Sequence, residues 1–226
     1  MSATKEPQYQ IQVDTFESRG AVRLGLTTSH LWRSDPKHLV FFLSRYKFIS
    51  KMLNGYKSVL EIGCGDGFGS RLLTQNGTRV HCTDFDPVFV EEARAREAYD
   101  PLRTFAVVDY TQTVPAGNYD ACFALDVIEH IPPALEDRFL RNVCAQVVPG
   151  GVCLFGAPSL ESQVHASEWS KKGHVNCKSG ADFQSGLRRY FSHVFMFSMN
   201  DEVLHTGFFP MSQYLFALCV APLKSG

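Results

Sequence analysis

Apolar positions along the chain switch repeatedly between a helical and a strand period. In SDPKHLVFFLSRYKFISKMLNG, beginning at Ser34, residues Leu39, Phe42, Leu43, Tyr46, Ile49 and Leu53 recur at helical spacing. Ser34 is placed to cap this helix, Pro36 falls in its first turn, and Asn54-Gly55 stops it. KSVLEIGCGDG then reads as a short apolar strand running into glycines, and SRLLTQNG as a helix closed by Asn76-Gly77. The alternation predicts strands at 78–84, 104–109, 119–126 and 151–158, with helices at 87–99 and 133–147. Strands alternating with helices give an α/β fold with a doubly wound, mostly parallel sheet. Right-handed crossovers line up the carboxyl ends of the parallel strands on one rim, so residues that follow strands are the ones that meet a ligand.

The last third has another pattern. A polar stretch at 159–178 precedes a helix at 181–190 and two aromatic-rich strands, HVFMFSM at 193–199 and MSQYLFALCVA at 211–221. Their connection, NDEVLHTGFFP, suits an antiparallel pair, and it emerges on the glycine-turn rim if the first of them runs parallel to the earlier strands. Residues before 34 carry few periodic apolar positions, which suits a lid better than a core. The expected organisation is one domain over 1–226. It consists of a lid or substrate segment (1–33), a cofactor core (34–158), and a substrate-side insert with the strand pair (159–226).

Composition narrows the class. Lys plus Arg number 22 against 23 Asp plus Glu, for a net charge of -1. That balance argues against nucleic acid or an anionic membrane as the partner. The chain is 45% hydrophobic, yet no apolar run approaches the roughly 20 residues of a membrane span, and MSATKEPQYQ lacks a signal-peptide pattern. A cytoplasmic protein is expected. The seven cysteines, at 64, 82, 122, 144, 153, 177 and 219, form no C-x-x-C pair and mostly sit in apolar runs. They read as reduced core residues, and no metal site is assigned from them.

The chemistry begins at VLEIGCGDGFGS, where Gly63, Gly65 and Gly67 form G-x-G-x-G, distinct from the G-x-G-x-x-G of dinucleotide sites. Asp84 closes the next strand at about the 20-residue spacing from which a carboxylate reaches a ribose diol. Asp109, at the end of the third strand, is a further acceptor suited to an exocyclic amine. Glu61 is placed either to organise the turn or to pair with a cationic ligand.

Together with YDACFALDVIEH and VVPGG, these residues resemble the class I S-adenosylmethionine-dependent methyltransferases over about residues 56–158. LDVIEHI is similar to the subgroup of ubiquinone-type and sugar O-methyltransferases. The resemblance implies a seven-stranded sheet with an antiparallel last strand and S-adenosyl-L-methionine as cofactor. It implies the methionine end beside Gly63 and Gly65, Asp84 on the ribose hydroxyls, and Asp109 at the adenine. Leu125 and Asp126 would flank the methionine part, and Arg45 would meet its carboxylate. Cys64, Phe85 and Tyr110 adjoin these positions and complete the expected set.

The acceptor side falls to the first 30 residues, to 159–178 and to 200–210. His174 is the candidate general base, with His205 and Asp201 in reserve and His130 beside the methyl group. Histidines near carboxylates also suit a divalent metal chelating a catechol or a sugar diol. The expected activity is O-methylation of a small hydroxylated substrate, a sugar or nucleotide-linked sugar ahead of a phenol. A cofactor-binding subunit without turnover is the other class, and the oligomeric state is left open.

Overall fold

The computed structural model describes residues 3–97 and 100–223. Three helices come first, α1 (Gln10–Arg19), α2 (Leu26–Ser34) and α3 (Pro36–Met52). The alternating region follows as β1 (Ser58–Ile62), α4 (Arg71–Thr74), β2 (Arg79–Asp84), α5 (Pro87–Arg96), β3 (Arg103–Val107), β4 (Tyr119–Leu125), α6 (Pro133–Cys144) and β5 (Val147–Pro158). The chain then runs through α7 (Glu168–Gly173), α8 (Gly180–Leu187), β6 (Phe191–Asn200), β7 (Val203–His205) and β8 (Tyr214–Pro222).

Among the described residues these strands form one eight-stranded sheet in the order β3-β2-β1-β4-β5-β8-β6-β7. Strands β1 to β5 are parallel, and β8 is antiparallel to both β5 and β6. The doubly wound sheet with its antiparallel C-terminal strand is therefore as expected, with eight strands in place of seven. The extra one is β7, three residues paired antiparallel to the end of β6 inside the presumed linker. Val203 and Leu204 are exposed there, so no buried face imposes a two-residue period on the segment.

Both faces of the sheet are covered, which is why its central strands read as continuous apolar runs. Leu60, Cys122 and Phe155 face Phe139 and Leu140 of α6 and Phe183 of α8, while Val59, Phe123 and Leu154 face the other way with Tyr46 and Ile49 of α3 and Val90 of α5. The free cysteines at 64, 82, 122, 153 and 219 are buried, and those at 144 and 177 are half-buried.

Several boundaries depart from the sequence reading. Ser34 ends α2, and the residue capping α3 is Asp35, whose carboxylate accepts the His38 N–H. The run SRLLTQNG yields a single helical turn. Strand β3 stops two residues before Asp109, α5 ends at Arg96, and residues 98 and 99 of the expected helix lie outside the described residues. The described N-terminal residues before α3 include helices α1 and α2. α1 buries nothing, so its sequence had no apolar stripe to display, while α2 rests on the glycine turn and on α3.

Candidate active site

The glycine turn follows β1 at the rim. Gly63 has φ +73, and a Cβ on it would lie 2.3 Å from a Val127 methyl, so only glycine fits. Asp84, only 8% exposed, ends β2 and accepts the Gly65 N–H at 2.8 Å through one carboxylate oxygen and the Asp86 N–H at 3.0 Å through the other. Asp109 is exposed and accepts from the Thr111 N–H and hydroxyl. Phe85 is exposed beside Asp84, whereas Cys64, Tyr110 and Leu125 are buried.

Glu61 lies beneath the turn. It is 1% exposed and accepts hydrogen bonds from the Tyr46 hydroxyl at 2.8 Å and from the Ser70 hydroxyl. Burial pushes its carboxyl up to about 7, against the opposing pull of the Ser70 and Tyr46 hydrogen bonds. A carboxyl raised above its unfolded value near 4.5 holds a proton in the fold that the open chain releases, so stability falls as pH rises between those two values. The Glu61 contribution, on the order of 3 kcal/mol, is then lost between about pH 4.5 and 7 and constant above. Glu61→Gln is expected to abolish that slope in melting temperature measured against pH. A slope equal to that of the parent protein would assign it to other groups.

Arg45 does not reach out from the helix face. Its guanidinium, 15% exposed, binds both carboxylate oxygens of Asp126 at 3.0 and 2.8 Å and stacks 3.9 Å over the ring of Tyr214. The expectation that it holds the cofactor carboxylate therefore meets a cation already engaged. Asp126 itself stands just past β4 with φ +55, a left-handed conformation held by that clamp.

Three residues past Asp126 lies a group that the sequence reading passed over. Glu129 is buried, and neither of its carboxylate oxygens has a hydrogen-bond partner. Burial, and then the nearby Asp126 carboxylate, push its pKa well above the usual carboxylate range. His130 Nδ1 is 2.9 Å from the Gly173 carbonyl, and His174 Nδ1 is 2.8 Å from Oε1 of Gln163. Both oxygens only accept, so these partners assign the proton to Nδ1 in each ring and leave each Nε2 with its lone pair. The Gln163 amide is oriented in turn by its Nε2, which donates to the Ser159 carbonyl at 3.0 Å. Backbone bonds from Val175 and Asn176 to the Glu129 carbonyl bring the two segments together. Glu129, His130 and His174 thus place one donor atom each within 4.8 Å of the others. Burial, then His130, lowers the His174 pKa, which keeps the ring neutral at physiological pH.

The reserve candidates lie elsewhere on the rim. His205 accepts the Gly207 N–H through Nδ1 at 3.1 Å, so its buried Nε2 carries the proton and offers a donor, the reverse of a base. Asp201 forms the exposed β6–β7 turn with φ +49. Neither joins the cluster around His174. The missed signal was the Glu-His pair in DVIEH, which follows directly on a strand end.

The chain matches the family described as "Methyltransferase domain" over residues 60–155. An uncharacterized methyltransferase of Mycobacterium tuberculosis (strain ATCC 25618 / H37Rv) is 30% identical over 132 residues, covering 56% of this chain and 65% of that protein. A ubiquinone biosynthesis O-methyltransferase of Escherichia coli (strain ATCC 8739) is 32% identical over 171 residues, covering 69% of this chain and 65% of the relative. The alignments thus span just under two thirds of these relatives' length. The N-methyltransferase NodS of Bradyrhizobium japonicum WM9, solved with S-adenosyl-L-homocysteine, superimposes with a TM-score of 0.64 at 20% identity, over 85% of this chain and 92% of that one. Among the described residues no helix is long and apolar enough to cross a membrane. With the glycine turn, the rim carboxylates and the strand order already in place, the match identifies residues 60–155 as a methyltransferase domain of the class I S-adenosylmethionine-dependent type.

Proposed function

We propose that the protein transfers the methyl group of S-adenosyl-L-methionine to an oxygen of a small substrate with adjacent hydroxyls, a sugar or nucleotide-linked sugar first. We assign Glu129, His130 and His174 to hold a divalent cation that chelates those hydroxyls. One observation carries this reading: a buried Glu129 carboxyl group with no hydrogen-bond partner stands with two imidazoles, one ligand atom of each of the three residues lying within 4.8 Å of the others, a set of donors that a cation would satisfy. Two histidines and one carboxylate leave coordination positions open for substrate oxygens, and the partners on each Nδ1 hold the rings in place. The substrate hydroxyl gives up its proton to solvent on binding. Its oxygen lone pair forms the new C–O bond as the C–S bond breaks, and those electrons leave a neutral thioether. The O-methyltransferase relatives support the same reaction class.

Dialysis against a chelator is expected to abolish methylation while leaving S-adenosylhomocysteine affinity unchanged, with Mn²⁺ or Zn²⁺ restoring turnover. Methylation that survives chelation would sink the metal and return the proton to His174 Nε2. A second reading, a catechol acceptor, draws on the exposed Val164, Phe208 and Met211 of the substrate side. Labelled cofactor offered with nucleotide sugars and with catechols separates the two. Cofactor binding without any methyl release would mark a subunit that lacks turnover.

A further inference from the structure

Of the two imidazoles in the cluster, one is oriented by main chain and the other by a side chain. His130 Nδ1 meets the Gly173 carbonyl, a partner that no substitution at that position removes. His174 Nδ1 meets the amide of Gln163 at 2.8 Å. An amide can turn either end to a ring, and the two ends select opposite tautomers. Facing the oxygen, Nδ1 carries the proton; facing the NH₂ group, Nδ1 accepts and Nε2 carries it.

Ser159 decides between them. Its carbonyl can only accept, and Gln163 Nε2 donates to it at 3.0 Å, so the amide is held with Oε1 toward the ring. Ser159 is fully buried and is itself held on two sides. Its N–H donates to the Gln213 carbonyl at 3.1 Å and its hydroxyl to the Ser212 carbonyl at 2.6 Å, both just ahead of β8. The same hydroxyl accepts the Ser162 N–H, which fixes the start of the short helical turn Glu161–His165 that carries Gln163. A chain of hydrogen bonds thus runs from the start of β8 through Ser159 and Gln163 to His174.

We propose that Gln163 is a positioning residue for the reaction, holding His174 in the tautomer whose Nε2 is unprotonated, the form in which the ring ligates a cation or takes a proton. The proposal rests on the role given to His174 above. A role confined to closing the turn at 161–165 would leave the ring indifferent to this side chain.

¹⁵N spectra of the histidine-labelled full chain, free of metal and at a pH where the rings are neutral, read the tautomer directly. The His174 signals, assigned by their loss in His174→Ala, are expected to be those of the Nδ1–H form. Gln163→Leu removes both ends of the amide at similar volume. It is expected to admit the Nε2–H form of His174, to leave His130 as in the parent, and to lower turnover by about 10- to 100-fold. Gln163→Glu keeps an acceptor toward the ring and gives up the donation to Ser159; it is expected to restore the Nδ1–H form and most of the lost turnover. An Nε2–H ring in the parent, or a Gln163→Leu spectrum like that of the parent, would overturn the assignment. So would normal turnover in Gln163→Leu beside an inactive His174→Ala. Turnover that survives in His174→Ala would instead overturn the reading on which the proposal rests.

Discussion

Replacing His174 with alanine is expected to lower turnover by about 10²- to 10⁴-fold, with S-adenosylhomocysteine affinity and melting temperature close to those of the parent. The side chain makes one hydrogen bond, to Gln163, so its loss costs on the order of 1 kcal/mol of stability. One of its ring nitrogens is among the three ligand atoms that lie within 4.8 Å of one another in the Glu129, His130 and His174 cluster. A purely local role as a helix cap does not account for His174, since Ser179 caps α8 by accepting the Asp182 N–H. Whether the imidazole holds a cation or takes the proton itself, the chemical step loses it. The chelator experiment tells those roles apart. Near-normal turnover in His174→Ala would remove the residue from the site, and Glu129 and His130 with it.

Asp84→Ala is expected to weaken cofactor binding by about 10- to 150-fold, the equivalent of roughly 1.5–3 kcal/mol for a lost charge-assisted contact. The carboxylate has a second task that the sequence did not announce. By accepting the Gly65 N–H it holds the glycine turn in register with β2, so the substitution loosens the turn as well as removing an acceptor. Asp84→Asn retains an acceptor oxygen toward Gly65 and should fall between the two. If Asp84→Ala binds S-adenosylhomocysteine like the parent, the ribose assignment fails.

Residues that report on themselves were legible in the sequence. The apolar run before Gly63, the alternate glycines 63, 65 and 67, and Asp84 at a strand end each carry a local signature tied to one element. What escaped depended on partners distant in the chain. Glu129 looks like any acid in a turn until its burial and its missing hydrogen bonds are known, and the tautomer of His174 is set by Gln163 in another segment. Asp66 reads as a polar filler between glycines, yet it anchors a helix 38 positions earlier. α1 and β7 bury too little to impose a period, so no pattern could announce them.

The place of β8 sets an order of assembly. It follows β6 and β7 along the chain, but it lies between β5 and β6 and pairs with both. A ribosome therefore delivers β6 and β7 before the strand that joins them to the sheet has been made. Until Tyr214–Pro222 emerges, β5 is an open edge and the β6–β7 hairpin has nothing to pair with, so two unsatisfied edges wait in one nascent chain. One insertion closes both. The β6–β7 hairpin that carries Asp201 and His205 thus joins the sheet only once β8 has been made, and removal of Tyr214–Pro222 would leave it with no strand linking it to β5.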